Sequence, residues 1–167
     1  MNYVTLEDGS QITVSKALKE LYSPIEEAKA DVVGIYCVPF LMDKGWIPAE
    51  KEREIYTSYL AGMFRSLRFG THEAHGKATL IQLNFHREQG AFLYDEATGK
   101  FSVDMSKIKE SQEILARKLL ILEGDGDYEK AEAFITRYGT IDEVISQAIE
   151  KLKGIPVDIV PVFPGIE

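Results

Sequence analysis

The sequence contains a single cysteine, Cys37. An internal disulfide is therefore excluded, and a lone thiol inside an apolar run fits a reducing compartment and a buried structural role. No stretch reaches the roughly 18 consecutive apolar residues that a membrane-spanning helix requires. The amino terminus also has no basic segment followed by an apolar one, so neither a membrane span nor a secretory leader is expected, and cytoplasm is the expected compartment. Positive charge is scarce, with 19 Lys and Arg against 27 Asp and Glu and a net charge of -8. A nucleic-acid backbone or an anionic membrane would be repelled on average, which removes both from the expected partners. There is no internal repeat and no low-complexity linker. With 45% hydrophobic and 28% charged residues over 167 positions, the expectation is one ordinary domain that can bury its own core.

What is present is mostly helical patterning. Residues 4–14 alternate apolar and polar on either side of Asp8-Gly9, a hairpin turn signal. Ser23-Pro24-Ile25-Glu26 has the features of a helix start: a capping Ser, Pro at the first position and Glu three residues after the cap. The helix that follows, through Val32, Val33, Ile35, Tyr36, Val38, Phe40 and Leu41, is apolar on most sides, as expected of a buried helix, and Pro39 should bend or end it. A second helix carries Ile55, Tyr59, Leu60, Met63, Phe64 and Leu67 at three- and four-residue spacing. A third spans residues 71–89 and closes at Gly90. A second small hairpin is expected over residues 91–103. Three more helices follow: residues 105–122, with Asp104 as a cap, then 128–138 after the break at Gly124-Asp125-Gly126-Asp127, then 141–153. The segment 155–163, strand-like but interrupted by prolines, suits an edge strand or an extended arm. The expected fold class is mainly α with minor β-hairpins, in a single domain covering residues 1–167.

Three sites could carry chemistry. Glu27 and Asp31 lie four residues apart and share a helix face with Glu26 close by, so a ligand carboxylate and supporting carboxylates could be presented together. Acidic residues in a first helical turn also stabilise the helix dipole, and the spacing does not separate the two roles. His72-Glu73-Ala74-His75 has three-residue spacing where the HExxH metallopeptidase motif has four, so it is not that motif. One of these histidines could still donate a hydrogen bond to a developing oxyanion, or the pair could be exposed at a helix start. Gly124-Asp125-Gly126-Asp127-Tyr128 lacks the spacing of a calcium loop and reads as a helix-helix turn with Asp127 as the next cap. Arg65 and Arg68 could grip a carboxylate or simply be solvated at a helix end.

Taken in order, these segments resemble the later part of dipeptidyl-peptidase III and its bacterial relatives. Glu26-Glu27-Ala28-Lys29-Ala30-Asp31 is similar to the family's second zinc motif. Met63-Phe64-Arg65-Ser66-Leu67-Arg68-Phe69-Gly70, Ala74-His75-Gly76-Lys77-Ala78 and Gly124-Asp125-Gly126-Asp127-Tyr128 resemble further family blocks. The likeness runs from about residue 23 to residue 163.

The resemblance implies that Glu27 is a zinc ligand, that Glu26 and Asp31 orient the zinc-binding histidines of another helix, and that His75 stabilises the transition state. It gives His72 no role. The family's HExxGH string, which supplies two zinc ligands and the water-activating Glu, is absent from the sequence. The expectation is therefore the carboxy-terminal part of a zinc peptidase that cleaves oligopeptides near their amino terminus. This part alone would be inactive, would bind zinc weakly, and would work with the missing amino-terminal part of the peptidase. Some bacterial relatives carry a Nudix-type domain ahead of the peptidase, so the parent could be Nudix-fused, although no Nudix box occurs here. The alternative is a stand-alone noncatalytic binding or assembly module derived from the peptidase. In either case, apolar surface left uncovered could drive homo-oligomerisation.

Overall fold

The hairpin signalled by Asp8-Gly9 opens the chain. In the computed structural model, which describes residues 3–6 and 8–156, β1 (Tyr3–Thr5) pairs antiparallel with β2 (Gln11–Thr13), Val4 opposite Ile12. Gly9 takes the left-handed conformation the turn requires, φ 81°, and Asp8 Oδ1 accepts from the Ser10 amide at 2.9 Å. Thr13 then caps α1 (Val14–Leu18) by accepting from the Lys16 amide.

A 3-10 turn, Lys19–Leu21, runs straight into α2 (Tyr22–Tyr36). Leu21 is already helical at φ -79° and ψ -15°, so Ser23 is the second residue of the helix and not its cap. The preceding turn overrides the local cap signature. Pro24 is tolerated because the amides of a first turn have no intrahelical partner in any case. The helix ends at Tyr36, and α3 (Val38–Asp43) restarts with Pro39 in its first turn, the break that proline imposes on the residues before it.

Cys37, expected to be buried, is exposed. The inner stripe of α2 is Ile25, Ala28 and Val32, all 0% exposed. Cys37 lies five residues beyond Val32, about 140° round the helix, and so falls off that stripe. Nor is α2 apolar all round, because Asp31, Gly34 and Tyr36 face outward.

The helix buried on most sides is α5 (Ala74–Glu88), whose Ala78, Leu80, Ile81, Leu83 and Phe85 are all within 1% of full burial. It joins the two halves of the core. Ile81 and Phe85 pack with Leu18, Ile25 and Val32 and with Leu115 and Leu119 of α6 (Ile108–Asp125). Leu80 and Leu83 pack with Tyr56, Leu60 and Met63 of α4 (Glu52–Leu67) and with Phe92 of the second hairpin. That hairpin is β3 (Phe92–Asp95) against β4 (Lys100–Val103), Phe92 opposite Val103.

Asp104 acts one turn earlier than expected. It accepts from the Ser106 amide at 2.9 Å, and α6 begins only at Ile108. Gly126, in the left-handed conformation, stops α6, and Asp127 caps α7 (Tyr128–Tyr138) through the Lys130 amide, as the sequence indicates. The last helix, α8 (Glu143–Glu150), is shorter than its pattern and starts on Asp142, which accepts from the Ile145 amide at 2.8 Å. The expected arm over 155–163 lies, from residue 157 onward, outside the described residues. The fold is mainly α with two small antiparallel hairpins.

His86 near the end of α5 is 0% exposed. Its Nδ1 is 2.6 Å from Ser111 Oγ, and its ring packs edge-on against Phe92 and Phe85. Burial pushes the imidazole down to about 3. The unfolded chain takes up that proton near the ordinary histidine value while the folded chain does not, so stability is full above about pH 6.5 and is lost as pH falls through the window down to 3. Urea unfolding should show this residue removing about 2 kcal/mol between pH 7.5 and pH 5. The His86→Phe variant should lack that part of the slope, and equal slopes in the two proteins would contradict the assignment.

Candidate functional site

Helices α2 and α4 both pack on α5 and leave between them a groove of about 500 Å³ whose lining includes Asp31, Gly34, Tyr59, Gly62, Arg65, His75 and Gln82. Small residues keep it open. A Cβ placed on Gly34 or Gly62 would meet nothing within 4 Å.

At the mouth of the groove, Glu27 of α2 and His75 of α5 meet, Oε2 to Nδ1, at 3.1 Å, their side chains 41% and 58% exposed. An ionised carboxylate can only accept, so in this pair the imidazole carries its hydrogen on Nδ1. Nε2 is then a bare acceptor when the ring is neutral and a second donor when it is charged. The pair can therefore take a proton from a ligand or, in the charged form, hold a carbonyl oxygen.

His75 is fixed in place by its neighbours on α5. Thr79 Oγ1 donates to the His75 carbonyl at 2.9 Å. Gly76 lets the start of the helix lie directly on residues 70–71, since a Cβ there would fall 2.1 Å from the Gly70 carbonyl oxygen.

Asp31, one turn beyond Glu27, is held from within the fold. Gln82 Nε2 donates to Asp31 Oδ2 at 3.1 Å and to the Ala78 carbonyl at 3.1 Å, while Gln82 Oε1 accepts from the Tyr59 hydroxyl at 2.7 Å. Burial raises the Tyr59 phenol well above its ordinary value, so it stays a neutral donor. Neither Gln82 nor the Tyr59 hydroxyl was singled out as functional in the sequence. The available signal was a lone amide between Ile81 and Leu83 in an otherwise apolar helix.

Glu26 is turned away from this groove. It pairs with Lys29 at 2.7 Å, and Lys29 also pairs with Glu123 of α6. Burial tends to raise the Glu26 carboxyl, but its hydrogen bonds with Lys29 and Glu123 outweigh this, and the net shift is downward. Of the two arginines, Arg65 lines the groove, with its guanidinium over the Phe69 ring, while Arg68 donates to the Ile155 carbonyl. His72 is exposed and is not among the residues lining the groove.

Among the described residues no group of three or more His, Cys, Asp and Glu side chains is arranged to hold a metal ion. A zinc site takes at least three protein donors, and Glu27 with His75 offers two. The residues of this chain therefore do not complete a zinc site.

No protein-family model matches the chain. Over 166 residues it is 43% identical to Nudix hydrolase 3 of Arabidopsis thaliana, covering 98% of this chain and 21% of that protein. The solved structure of DPP III from Caldithrix abyssi superposes with a TM-score of 0.92 at 41% identity, covering 97% of this chain and 31% of that one. Dipeptidyl-peptidase III from Corallococcus sp. strain EGB gives a TM-score of 0.89 at 41% identity, covering 96% and 29%. In each case the chain spans less than a third of the protein it matches. Fold and sequence together thus define a helical segment of a peptidase domain. The chain belongs to the dipeptidyl-peptidase III family and corresponds to the carboxy-terminal part of such a protein.

Proposed function

We propose that this chain is the part of a zinc-dependent dipeptidyl peptidase that supplies Glu27 as a metal ligand, Asp31 as its supporting carboxylate and His75 as the group facing the substrate carbonyl. Glu26, turned to Lys29 and Glu123, would act through the position of α2. The substrate class is oligopeptides cleaved near the amino terminus. The observation that carries the reading is the meeting of Glu27 and His75 at the mouth of an open groove, in a chain 41% identical to dipeptidyl-peptidase III along nearly all its length.

The two donors of this chain are too few for zinc, so the remaining ligands and the water-activating glutamate belong to a complementary part bearing HExxGH. Tyr36, Phe40 and Trp46, 46%, 55% and 74% exposed, form the apolar surface on which that part would pack. The same surface supports the second reading, an assembly module that pairs through it with another protein or another copy of itself. Among the described residues no helix is long and apolar enough to cross a membrane, which suits a cytoplasmic enzyme. The match to Nudix hydrolase 3 fits a parent that also carries a Nudix-type domain.

The test is made in two parts. Calorimetric titration of the chain with zinc should show no tight stoichiometric binding, and the chain should release no dipeptide from an oligopeptide. Replacing the equivalent segment of the Caldithrix abyssi enzyme with this chain should give a zinc-dependent peptidase, and Glu27→Ala in that chimera should abolish both tight zinc binding and turnover. A chimera that is folded and binds zinc equally well with Ala at position 27 would overturn the assignment.

A further inference from the structure

Three buried polar atoms between α4, α5 and α6 have no hydrogen-bond partner among the described residues: His86 Nε2 and both polar atoms of the Gln112 amide. His86 is 0% exposed and Gln112 1%. The atoms belong to one neighbourhood. His86 Nδ1 is committed to Ser111 Oγ at 2.6 Å, and Ser111 immediately precedes Gln112 on α6. The Gln112 amide approaches the Tyr59 hydroxyl, and the Tyr59 ring centroid is 6.0 Å from that of His86.

The chemistry of these atoms restricts what can satisfy them. A neutral imidazole has one donor and one acceptor. With Nδ1 engaged by Ser111, Nε2 presents whichever remains. The Gln112 amide offers both a donor and an acceptor. Buried groups of this kind almost always have partners, from protein or from ordered solvent, and an apolar occupant would leave all three unsatisfied. The occupant that fits is small, neutral and able to donate and accept at once.

We propose that His86 Nε2 and the Gln112 amide bind an internal water molecule. This water closes the inner end of a polar chain that runs through Tyr59 and Gln82 to Asp31 at the groove. Tyr59 and Gln82 are then positioning residues. With Oε1 of Gln82 bonded to Tyr59 and Nε2 to Asp31, Asp31 Oδ2 is fixed and Oδ1 is left for a ligand of the groove. The hydration site stands on burial and valence alone and does not depend on the peptidase reading.

A high-resolution crystal structure of the chain should show a water peak at about 2.7–3.2 Å from both His86 Nε2 and the Gln112 amide. In solution, the His86 ring protons should give a cross-peak to long-lived water, lost entirely in Gln112→Met. Density in which Nε2 bonds directly to the Gln112 amide, or in which the space between them is closed by apolar side chains, would overturn the proposal. So would a water cross-peak that persists in Gln112→Met. Should that variant fail to fold, the density of the wild-type protein decides the question.

Discussion

Gly76→Ala should destabilise the protein by about 3 kcal/mol or more, because it places a methyl group against backbone and not against a side chain that can turn aside. The added Cβ would lie 2.1 Å from the Gly70 carbonyl oxygen and 2.8 Å from the Thr71 Cα. Relief requires the start of α5 to move off residues 70–71, and His75 must move with it. For a chain of this size, that loss lowers the melting temperature by about 6–12 °C. It should also separate His75 from Glu27, read as a change in the His75 ring shifts that occurs without any mutation of the pair. Gly62→Ala provides the contrast. A Cβ at Gly62 meets nothing within 4 Å and the residue lies inside α4, so alanine should stabilise by about 0.5–1 kcal/mol through helix propensity. Thermal melts of the two variants, side by side, separate backbone crowding from a general effect of replacing glycine. A Gly76→Ala change within 0.5 kcal/mol of wild type would show that the contact at 70–71 is not tight.

The features legible in the sequence are those that local chemistry determines. The turn at Asp8-Gly9, the apolar stripe of α4 and the cap at Asp127 each depend on residues within about one helical turn or one hairpin of each other, and all three form as their patterns indicate. Where two local signals compete, the outcome depends on chain that lies outside the motif. Ser23 has the composition of a cap, but the 3-10 turn before it delivers the chain already helical. Burial is harder to read, because periodicity shows which face of a helix is apolar and not which helix is central. Thus α2 reads as the buried helix, while the packing of α4, α2 and α6 around α5 gives that place to α5.

The candidate site divides in the same way. Glu27, Asp31 and His75 are picked out by motif resemblance, and the fold brings Glu27 and His75 into contact although they are 48 residues apart in sequence. Glu26 belongs to the same motif but points to α6, because residues adjacent on a helix are about 100° apart round its axis and cannot both face one groove. The Gln82 bridge between Asp31 and Tyr59 joins three helices and has no local signature.

The turn of Glu26 toward α6 leads to the second large effect. Lys29, with a side chain 17% exposed, sits between Glu26 and Glu123, and Glu123 is 6% exposed with Oε1 lacking a hydrogen-bond partner among the described residues. Burial raises the Glu123 carboxyl above its ordinary value even with the lysine in place. Lys29→Met keeps the aliphatic stem and removes the charge, leaving a carboxylate buried beside a second one. Breaking a fully buried pair in this way costs about 3–5 kcal/mol; because Lys29 and Glu26 keep some access to solvent, about 2–3 kcal/mol is expected here. The cost should depend on pH with a definite sign. In Lys29→Met the folded-state value of Glu123 lies further above its unfolded value, so the folded form binds the proton more tightly and stability falls as pH rises through that folded value. The variant should therefore be closest to wild type at pH 5 and furthest from it at pH 8, as measured by urea midpoints. Lys29→Met combined with Glu123→Leu removes both buried charges and should recover most of the loss, since a well-packed apolar pair is about as stable as a buried ion pair. If the double variant is as unstable as Lys29→Met, the loss comes from packing around the lysine stem and not from the stranded carboxylate. A pH-independent difference between Lys29→Met and wild type would point to the same conclusion.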